Sequence, residues 1–577
     1  MLQVIRQQIL DSLQKVGIDT TLDLTTPPNS EMGDFAFPCF AIAKAEGKIP
    51  ADVAIDIAEK LNELYTKEDT KISTLISDVK AFGSYVNFFL DGNEVAQFVL
   101  NGVDEHFGKH SDGKGKKYLV EFGCPNPMKV FHLGHLLNLI AGESVVRVLE
   151  NSGYHVVRAN YQGDVGMHIA KTLWALSLQG TIYKEQETKM VEERVAFLGK
   201  AYAEGAKAFE ESEELKAEIV AMNKKVYEKD PEIWEMYMTA RQWSLDYFET
   251  VYKKLGSHFD AYYFESDMFA RGKELVEKYI GPVFEKSDGA VIFPGEKYGL
   301  HDRVFINSEG FPTYEGKDVG LAERQFADHH PDKIIHIVGK EQTGYFEVVF
   351  KALESVVPKS KGKEAHLVGG YLQLKGEQKM SSRTGNVITG DTLLQVVEEK
   401  IGEIMKDEAR ANHQELKRKI ALSALKYELL KTPVSQDKMF DMEESVSTSG
   451  DSGPYLLYIV ARIKSILRKS ETTPNDNKSK TNNNKQLTMN KHEKVLLLKL
   501  VEYPEVTLLA SSELDPSKIS HYLFALAQAF NTFYHECPIL QAEEEDVRAF
   551  RLELIRLVEQ VMTDGLQLLG IDVVDSM

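Results

Sequence analysis

The sequence predicts an α/β multidomain protein built on a parallel sheet. A short apolar run, Val120-Glu121-Phe122, breaks into a Pro-rich loop and ends at a helix start. Leu133, Leu136, Leu137 and Ile140 then recur at i, i+3, i+4 and i+7, the spacing of one helix face. Asn151-Ser152-Gly153 stops that helix before a second strand-like run, His155-Val156-Val157-Arg158. Strand, loop, helix, strand is a βαβ unit.

In such a unit the ligand lies beyond the carboxyl end of the first strand, and the helix N-terminus offers free N–H groups to anions. His132-Leu133-Gly134-His135 opens this helix, so His132, Gly134 and His135 face the ligand. Two imidazoles one turn apart can donate to phosphate oxygens as charge develops, and a glycine between them lets a flat base approach the backbone. Alone, the pattern fits equally well two histidines on a partly buried helix. A second segment, Gly376 to Asn386, is rich in glycine, hydroxyls and cations. Its Lys379, Met380, Ser381 and Arg383 suit a loop that closes over a triphosphate, whereas a solvated basic turn is the plain alternative.

The flanking elements follow in chain order. Residues 1–112 start with an amphipathic helix and include Gly33 to Pro38 and the strand-like Tyr85 to Leu90. Residues 113–390 hold the nucleotide-binding unit, interrupted at about 176–256 by helical sequence rich in Glu, Lys and Ala. Residues 391–577 are almost wholly helical in periodicity. Within them, Ser470 to Asn490 is a polar tract with too few apolar residues to fold, hence a predicted flexible loop.

Composition narrows the class. A chain of 577 residues with 43% apolar content can bury several cores. No run approaches the length of an apolar membrane span, so no membrane association is expected. The opening Met1 to Arg6 lacks a secretory or transit character, which makes cytoplasm the default. Cys39, Cys124 and Cys537 are isolated, so neither a metal site nor a disulfide framework is predicted. The net charge of −20 does not exclude RNA, because a local basic face is what matters. Between Gly453 and Ser470 there is no acidic residue, while Arg462, Lys464, Arg468 and Lys469 stand beside Tyr455 and Tyr458. That mixture suits unstacked RNA bases; a solvated basic edge with two core tyrosines is the alternative.

Taken together, His132 to His135 and Lys379 to Arg383 resemble the two signature sequences of class I aminoacyl-tRNA synthetases. The surrounding text resembles the arginyl-tRNA synthetases: Pro125-Asn126 and Lys129, Arg158 to Gly166, Pro312-Thr313-Tyr314 with Asp318, Gly453 to Tyr458 with Ala461-Arg462, Leu526 to Tyr534, and the terminal Met577. The resemblance implies a Rossmann-type catalytic domain with a helical insertion. It also implies an α+β N-terminal domain that touches the tRNA elbow and an all-α anticodon-binding domain. The implied activity is ATP-dependent attachment of L-arginine to tRNA(Arg) through an arginyl-adenylate, with Mg²⁺ accompanying ATP and the enzyme a monomer.

Two departures stand out. Ser382 occupies the place of the second lysine in Lys-Met-Ser-Lys-Ser, and Lys129 stands where relatives with that change carry a compensating lysine. Gly123 replaces a common serine. A guanidinium is planar and calls for a carboxylate and an aromatic neighbour, and Tyr314 and Asp318, four apart, share one helix face. By resemblance these two form the arginine site with Gln342, Glu121 and Asn126; Glu265 is a further candidate. Tyr455, Tyr458, Arg462 and Met577 are assigned to the anticodon arm in the same way. Three other readings share parts of this pattern. A cysteinyl-type synthetase needs a metal-ligand cluster, a small-molecule nucleotidyltransferase has no use for two flanking domains, and a non-catalytic tRNA-binding relative should have lost the histidines or the cationic loop.

Overall fold

The computed structural model describes residues 1–18, 24–66, 75–180, 182–376, 389–405, 414–472 and 489–577. The N-terminal unit is an antiparallel sheet of β1 (Phe35–Pro38), β2 (Ile76–Phe82) and β3 (Tyr85–Leu90) in the order β1-β3-β2. Helices Leu2–Lys15 and Pro50–Thr66 accompany it, and Ile5, Ile9, Ile57 and Leu61 join Val86 and Phe88 in the core. This unit leans on the C-terminal helices through Lys494, whose Nζ lies 2.7 Å from Asp34 and donates to Leu90 O.

The central sheet contains β4 (Lys117–Glu121), β5 (His155–Gln162) and β6 (Ala261–Phe264). A small antiparallel sheet of β7 (Glu285–Ser287), β8 (Ala290–Phe293) and β9 (Arg303–Ile306) precedes its last strands, β10 (Lys333–Gly339) and β11 (Glu364–Gly369). The order is β11-β10-β4-β5-β6, and every pairing is parallel. Such a sheet is covered on both faces, and alternation along the strands separates them. Val120, Val156, Ile335 and Ile337 share a core with Leu136 and Ile140 of helix Leu133–Asn151. Leu119, Val157, Ala159 and Ile334 point the other way, into a core with Val319, Ala322 and Phe326 of helix Tyr314–His329. β5 runs four residues past the predicted strand, which carries Asn160, Tyr161 and Gln162 to the carboxyl edge.

Between β5 and β6 the described residues form five α-helices, Met167–Leu178, Ile182–Glu185, Val191–Glu211, Glu213–Glu228 and Pro231–Lys254, with a core of their own. Gly205 is required there: a Cβ would stand 2.0 Å from Lys171 O. β12 (Leu372–Leu374) pairs in parallel with β13 (Lys438–Phe440), the strand that interrupts the otherwise helical C-terminal region. Helices Gln414–Leu430 and Gly453–Thr472 touch because Gly453 has no side chain; its Cβ would meet Ser423 O at 2.1 Å. Among the described residues, no helix is long and apolar enough to cross a membrane.

Candidate active site

The chain leaves β4 through a loop in which Gly123, Cys124 and Met128 have φ of 78°, 36° and 60°. Asn138 on the following helix holds this exit, accepting from Gly123 N–H at 2.7 Å and donating to Ile337 O at 2.7 Å. A Cβ at Gly123 would sit 3.2 Å from Asn160 Nδ2 and Phe259 Cζ, so a serine here would be strained by φ and crowded.

His132 is the N-cap of helix Leu133–Asn151. Its Nδ1 accepts from Gly134 N–H at 3.1 Å, and His135 Nδ1 accepts from His132 N–H at 3.4 Å. This reciprocal cap uses imidazoles where most helices use a hydroxyl and a carboxylate. With both Nδ1 atoms accepting, each neutral ring carries its proton on Nε2 and turns a donor outward. The rings stack with centroids 3.7 Å apart. Gly134 makes room for the cap, since a Cβ would approach His132 Cε1 to 2.9 Å.

Burial, with the Lys129 charge, holds His132 below its usual range. Burial, His132 and Lys129 push His135 well below its own. Burial also lowers Lys129, helped by Lys171 and opposed by Glu265. His168 is pushed down to about 3 by burial and then Lys129, and its Nε2 donates to Gly163 O at 2.8 Å. The imidazoles are therefore kept neutral beside the Lys129 side chain, a group of N–H donors that suits phosphate oxygens. The signature residues Lys379, Met380, Ser381, Ser382 and Arg383 lie outside the described residues. Thr389, where description resumes, pairs with His132, and Gly390 N–H donates to Phe131 O at 3.1 Å.

Acidic groups gather at the other end of the site, and most are paired. Glu121, buried at the tip of β4, accepts from Gln325 Nε2 at 2.7 Å and meets His336 Nδ1 at 3.0 Å. His336 Nε2 is 2.9 Å from Glu364. Burial opposes its charge, yet Glu121 and Glu364 outweigh it and push His336 up to about 10. Glu265 has Lys317 Nζ at 2.6 Å, an ion pair that holds the lysine above its usual range despite burial. Asp164 has Arg241 at 2.8 Å and accepts from Ser266 N–H at 2.8 Å. Asp318 has a Tyr345 hydroxyl at 2.5 Å and no ion pair among the described residues. Desolvation pushes Asp318 up to about 8; Tyr345 and His336 oppose this, and Glu121 and Glu265 add to it.

Tyr314 and Asp318 lie on the first turns of helix Tyr314–His329 as the spacing predicts, with Tyr314 59% exposed and Lys317 Nζ 4.9 Å from its ring centroid. Asn126 Oδ1 accepts from Gly163 N–H at 3.2 Å. Gln342 sits in an exposed turn where Oε1 accepts from Gly339 N–H at 3.3 Å, and no hydrogen bond among the described residues joins it to Tyr314 or Asp318. The sequence reading missed Tyr345, His336, Lys317 and His168. Only Tyr345, three residues beyond Gln342, carried a local signal.

In the C-terminal helices, Arg462 Nη1 donates to Asn531 Oδ1 at 3.0 Å, and Nη2 donates to the Tyr458 hydroxyl. The guanidinium lies 4.5 Å from the Tyr458 ring centroid and 5.1 Å from that of Tyr534. Tyr455 packs edge-on to Phe524, and Met577 is partly buried against the core. Lys464 pairs with Asp575 at 2.9 Å.

A parallel nucleotide fold whose first crossover helix opens on stacked histidines, with cations on one side and carboxylates on the other, defines the class I aminoacyl-tRNA synthetases. Residues 94–442 match the family described as tRNA synthetases class I (R), catalytic domain. Residues 3–90 match the arginyl tRNA synthetase N terminal domain and residues 456–577 the DALR anticodon binding domain. The chain is 34% identical to the arginine–tRNA ligase of Treponema denticola, over 99% of this chain and 98% of that one. It is 33% identical to that of Clostridium perfringens over 96% and 95%. The arginyl-tRNA synthetase structure of Thermus thermophilus shares the fold with a TM-score of 0.78 at 24% identity, covering all of both chains. The chain belongs to the arginyl-tRNA synthetase family.

Proposed function

We propose that this chain attaches L-arginine to tRNA(Arg) at the expense of ATP, with the site residues acting as follows. The arginine carboxylate attacks the α-phosphorus of ATP, giving arginyl-adenylate and pyrophosphate. A ribose hydroxyl of the terminal adenosine of tRNA then attacks the adenylate carbonyl and releases AMP. The single observation that carries the assignment of ends is the charge layout. Lys129 and the neutral His132 and His135 supply N–H donors where the triphosphate belongs, and Asp318 is a carboxyl without an ion pair among the described residues where a guanidinium belongs.

The outward Nε2–H groups of His132 and His135 and the Lys129 ammonium donate to the phosphates as charge builds in the transition state. Gly134 and Met380 are assigned to ATP, and Lys379, Ser381 and Arg383 of the second signature to catalysis at its phosphates. Mg²⁺ arrives with the ATP phosphates and neutralises part of their charge. Asp318 grips the guanidinium, with Tyr314 against its face; Asn126, Gln342 and Glu121 orient the remaining polar groups, Glu121 through its link to His336. Positioning and preorganised charge carry the reaction, and no covalent enzyme intermediate is needed.

The division of labour follows the same reading: 1–112 for the tRNA elbow, 113–390 for catalysis with an insertion near 176–256, and 391–577 for the anticodon arm. Tyr455, Tyr458, Arg462 and Met577 contact the RNA there. The enzyme acts as a monomer in the cytoplasm. ATP–pyrophosphate exchange with each amino acid in turn, with and without tRNA, tests the proposal. Exchange with arginine alone among them is the expected result, and exchange with another amino acid overturns it.

A further inference from the structure

Tyr161 lies within the Arg158 to Gly166 stretch, where no role was assigned to it. It lies on β5, two residues beyond Ala159, and strand register fixes the way it faces. Ala159 pairs with Glu121 of β4, and Glu121 pairs with His336 of β10, so all three project from one face of the sheet. Alternation puts Tyr161 on that face too, about 6.6 Å further toward the carboxyl edge. Its β6 partner Tyr263 belongs to the same core as Ala159. The helix that covers this face touches Glu121 through Gln325. Asp318 is two turns N-terminal of Gln325, hence on the same helix face and about 10 Å nearer the mouth of the site. Tyr161 and Asp318 therefore stand at one level, above the Glu121–Gln325 contact.

The Tyr161 backbone is pinned by its N–H, which donates to Cys124 Sγ at 3.4 Å. Its hydroxyl is another matter: the oxygen is buried and makes no hydrogen bond among the described residues. Four carboxyl groups act on it, those of Glu265, Asp318, Glu121 and Asp164, and with burial they keep the phenol well above its usual range. A buried hydroxyl without a partner is costly, and a phenylalanine would fill the same space without that cost. Three of those carboxyls are matched by His336, Lys317 and Arg241. The fourth, Asp318, has no ion pair among the described residues.

We infer that the Tyr161 hydroxyl is a further specificity contact for the substrate, accepting an N–H of the guanidinium that Asp318 receives. The inference rests on the arginine reading of this site. A guanidinium presents five N–H donors in a plane, more than one carboxylate can take, and the phenolic oxygen supplies an additional acceptor. The site thus holds an acid without an ion pair and a hydroxyl without a hydrogen bond among the described residues, and one cationic planar head group satisfies both.

The test is Tyr161→Phe in the full-length enzyme, read by arginine and ATP KM values in aminoacylation and by the melting temperature of the free protein. Loss of a hydrogen bond to a charged group raises the arginine KM by about 10-fold or more. The ATP KM stays within about 2-fold, and the free protein melts at the same or a higher temperature because an unsatisfied polar group has gone. An unchanged arginine KM overturns the inference, as does a lower melting temperature with both KM values raised. A wild-type enzyme that fails to charge arginine refutes the underlying functional reading, a result separate from either of these.

Discussion

The two faces of the central sheet differ in how fully their polar groups are matched. On the face covered by helix Leu133–Asn151, Arg158 donates to both oxygens of Glu150, at 2.7 and 3.0 Å, and to Glu143 at 3.3 Å. Glu143 also accepts from Arg147 at 2.8 Å and from Ser257 at 2.9 Å. Arg147 goes on to donate to Gln567 O and Gly256 O, which ties the helix of the histidines to the C-terminal turn. On the opposite face, Asp318 has no cation and the Tyr161 hydroxyl no hydrogen bond among the described residues. A closed network is a device for holding parts together. An open one stores a preference for something that is to arrive, because desolvation has already been incurred and the compensating contact has not.

The contrast can be broken from either side, and the largest effect is expected at Asp318. Asp318→Asn removes the acid that receives the guanidinium, at a cost of roughly 3–5 kcal/mol, upward of 100-fold in arginine affinity. Calorimetry should show that loss with arginine and near-normal binding of an ATP analogue. On the closed face, Arg158→Met removes the cation shared by Glu143 and Glu150, leaves Glu143 to Arg147 and Glu150 to solvent, and lowers stability rather than arginine affinity. Its signature is a melting temperature lowered by several degrees with an unchanged arginine KM in the protein that remains folded. Were Arg158→Met to weaken arginine binding specifically, the two faces would not be separate devices.

Next in size is Lys129→Ala, which removes one preorganised cation at the phosphates. Single-turnover adenylate formation should slow by roughly 100-fold with little change in arginine affinity; a near-normal rate would move that role to Arg383. The smallest effect belongs to Arg462, already held by Asn531 and Tyr458. Arg462→Ala should raise the tRNA KM several-fold and reduce the salt dependence of tRNA binding by about one charge, leaving the arginine and ATP constants in place.

What the sequence disclosed depended on how local the signal was. The βαβ unit was legible because Leu133, Leu136, Leu137 and Ile140 repeat within two turns, and the start at His132 because its cap is made by the next three residues. Tyr314 and Asp318 were legible as a helical pair. His336 and Glu364 were not, since their partnership with Glu121 spans more than two hundred residues and exists only once β4, β10 and β11 are side by side. Lys317 was hidden for the same reason: it reads as a surface lysine until Glu265 is brought against it across the pair of helices. β13 was missed because three residues, Lys438 to Phe440, are too few to show a period of two against helical neighbours.

The central claim is that the arginine pocket is short of one positive charge at Asp318, and proton counting tests it most directly. Desolvation in the fold holds this carboxyl up at about 8, so at pH 7 it is mostly protonated, whereas a bound guanidinium requires the carboxylate. Binding must then expel a proton. Below pH 8 arginine affinity should rise with pH, approaching tenfold per unit, and it should level off above that. The same shift opposes folding: stability from this group is greatest at low pH and falls as pH rises from the ordinary carboxylate range through 8. Calorimetric titration of the full-length enzyme with arginine at pH 7, in two buffers of different ionisation enthalpy, should report close to one proton released per arginine bound. Binding with no proton release, and an affinity flat from pH 6 to 9, would contradict the account.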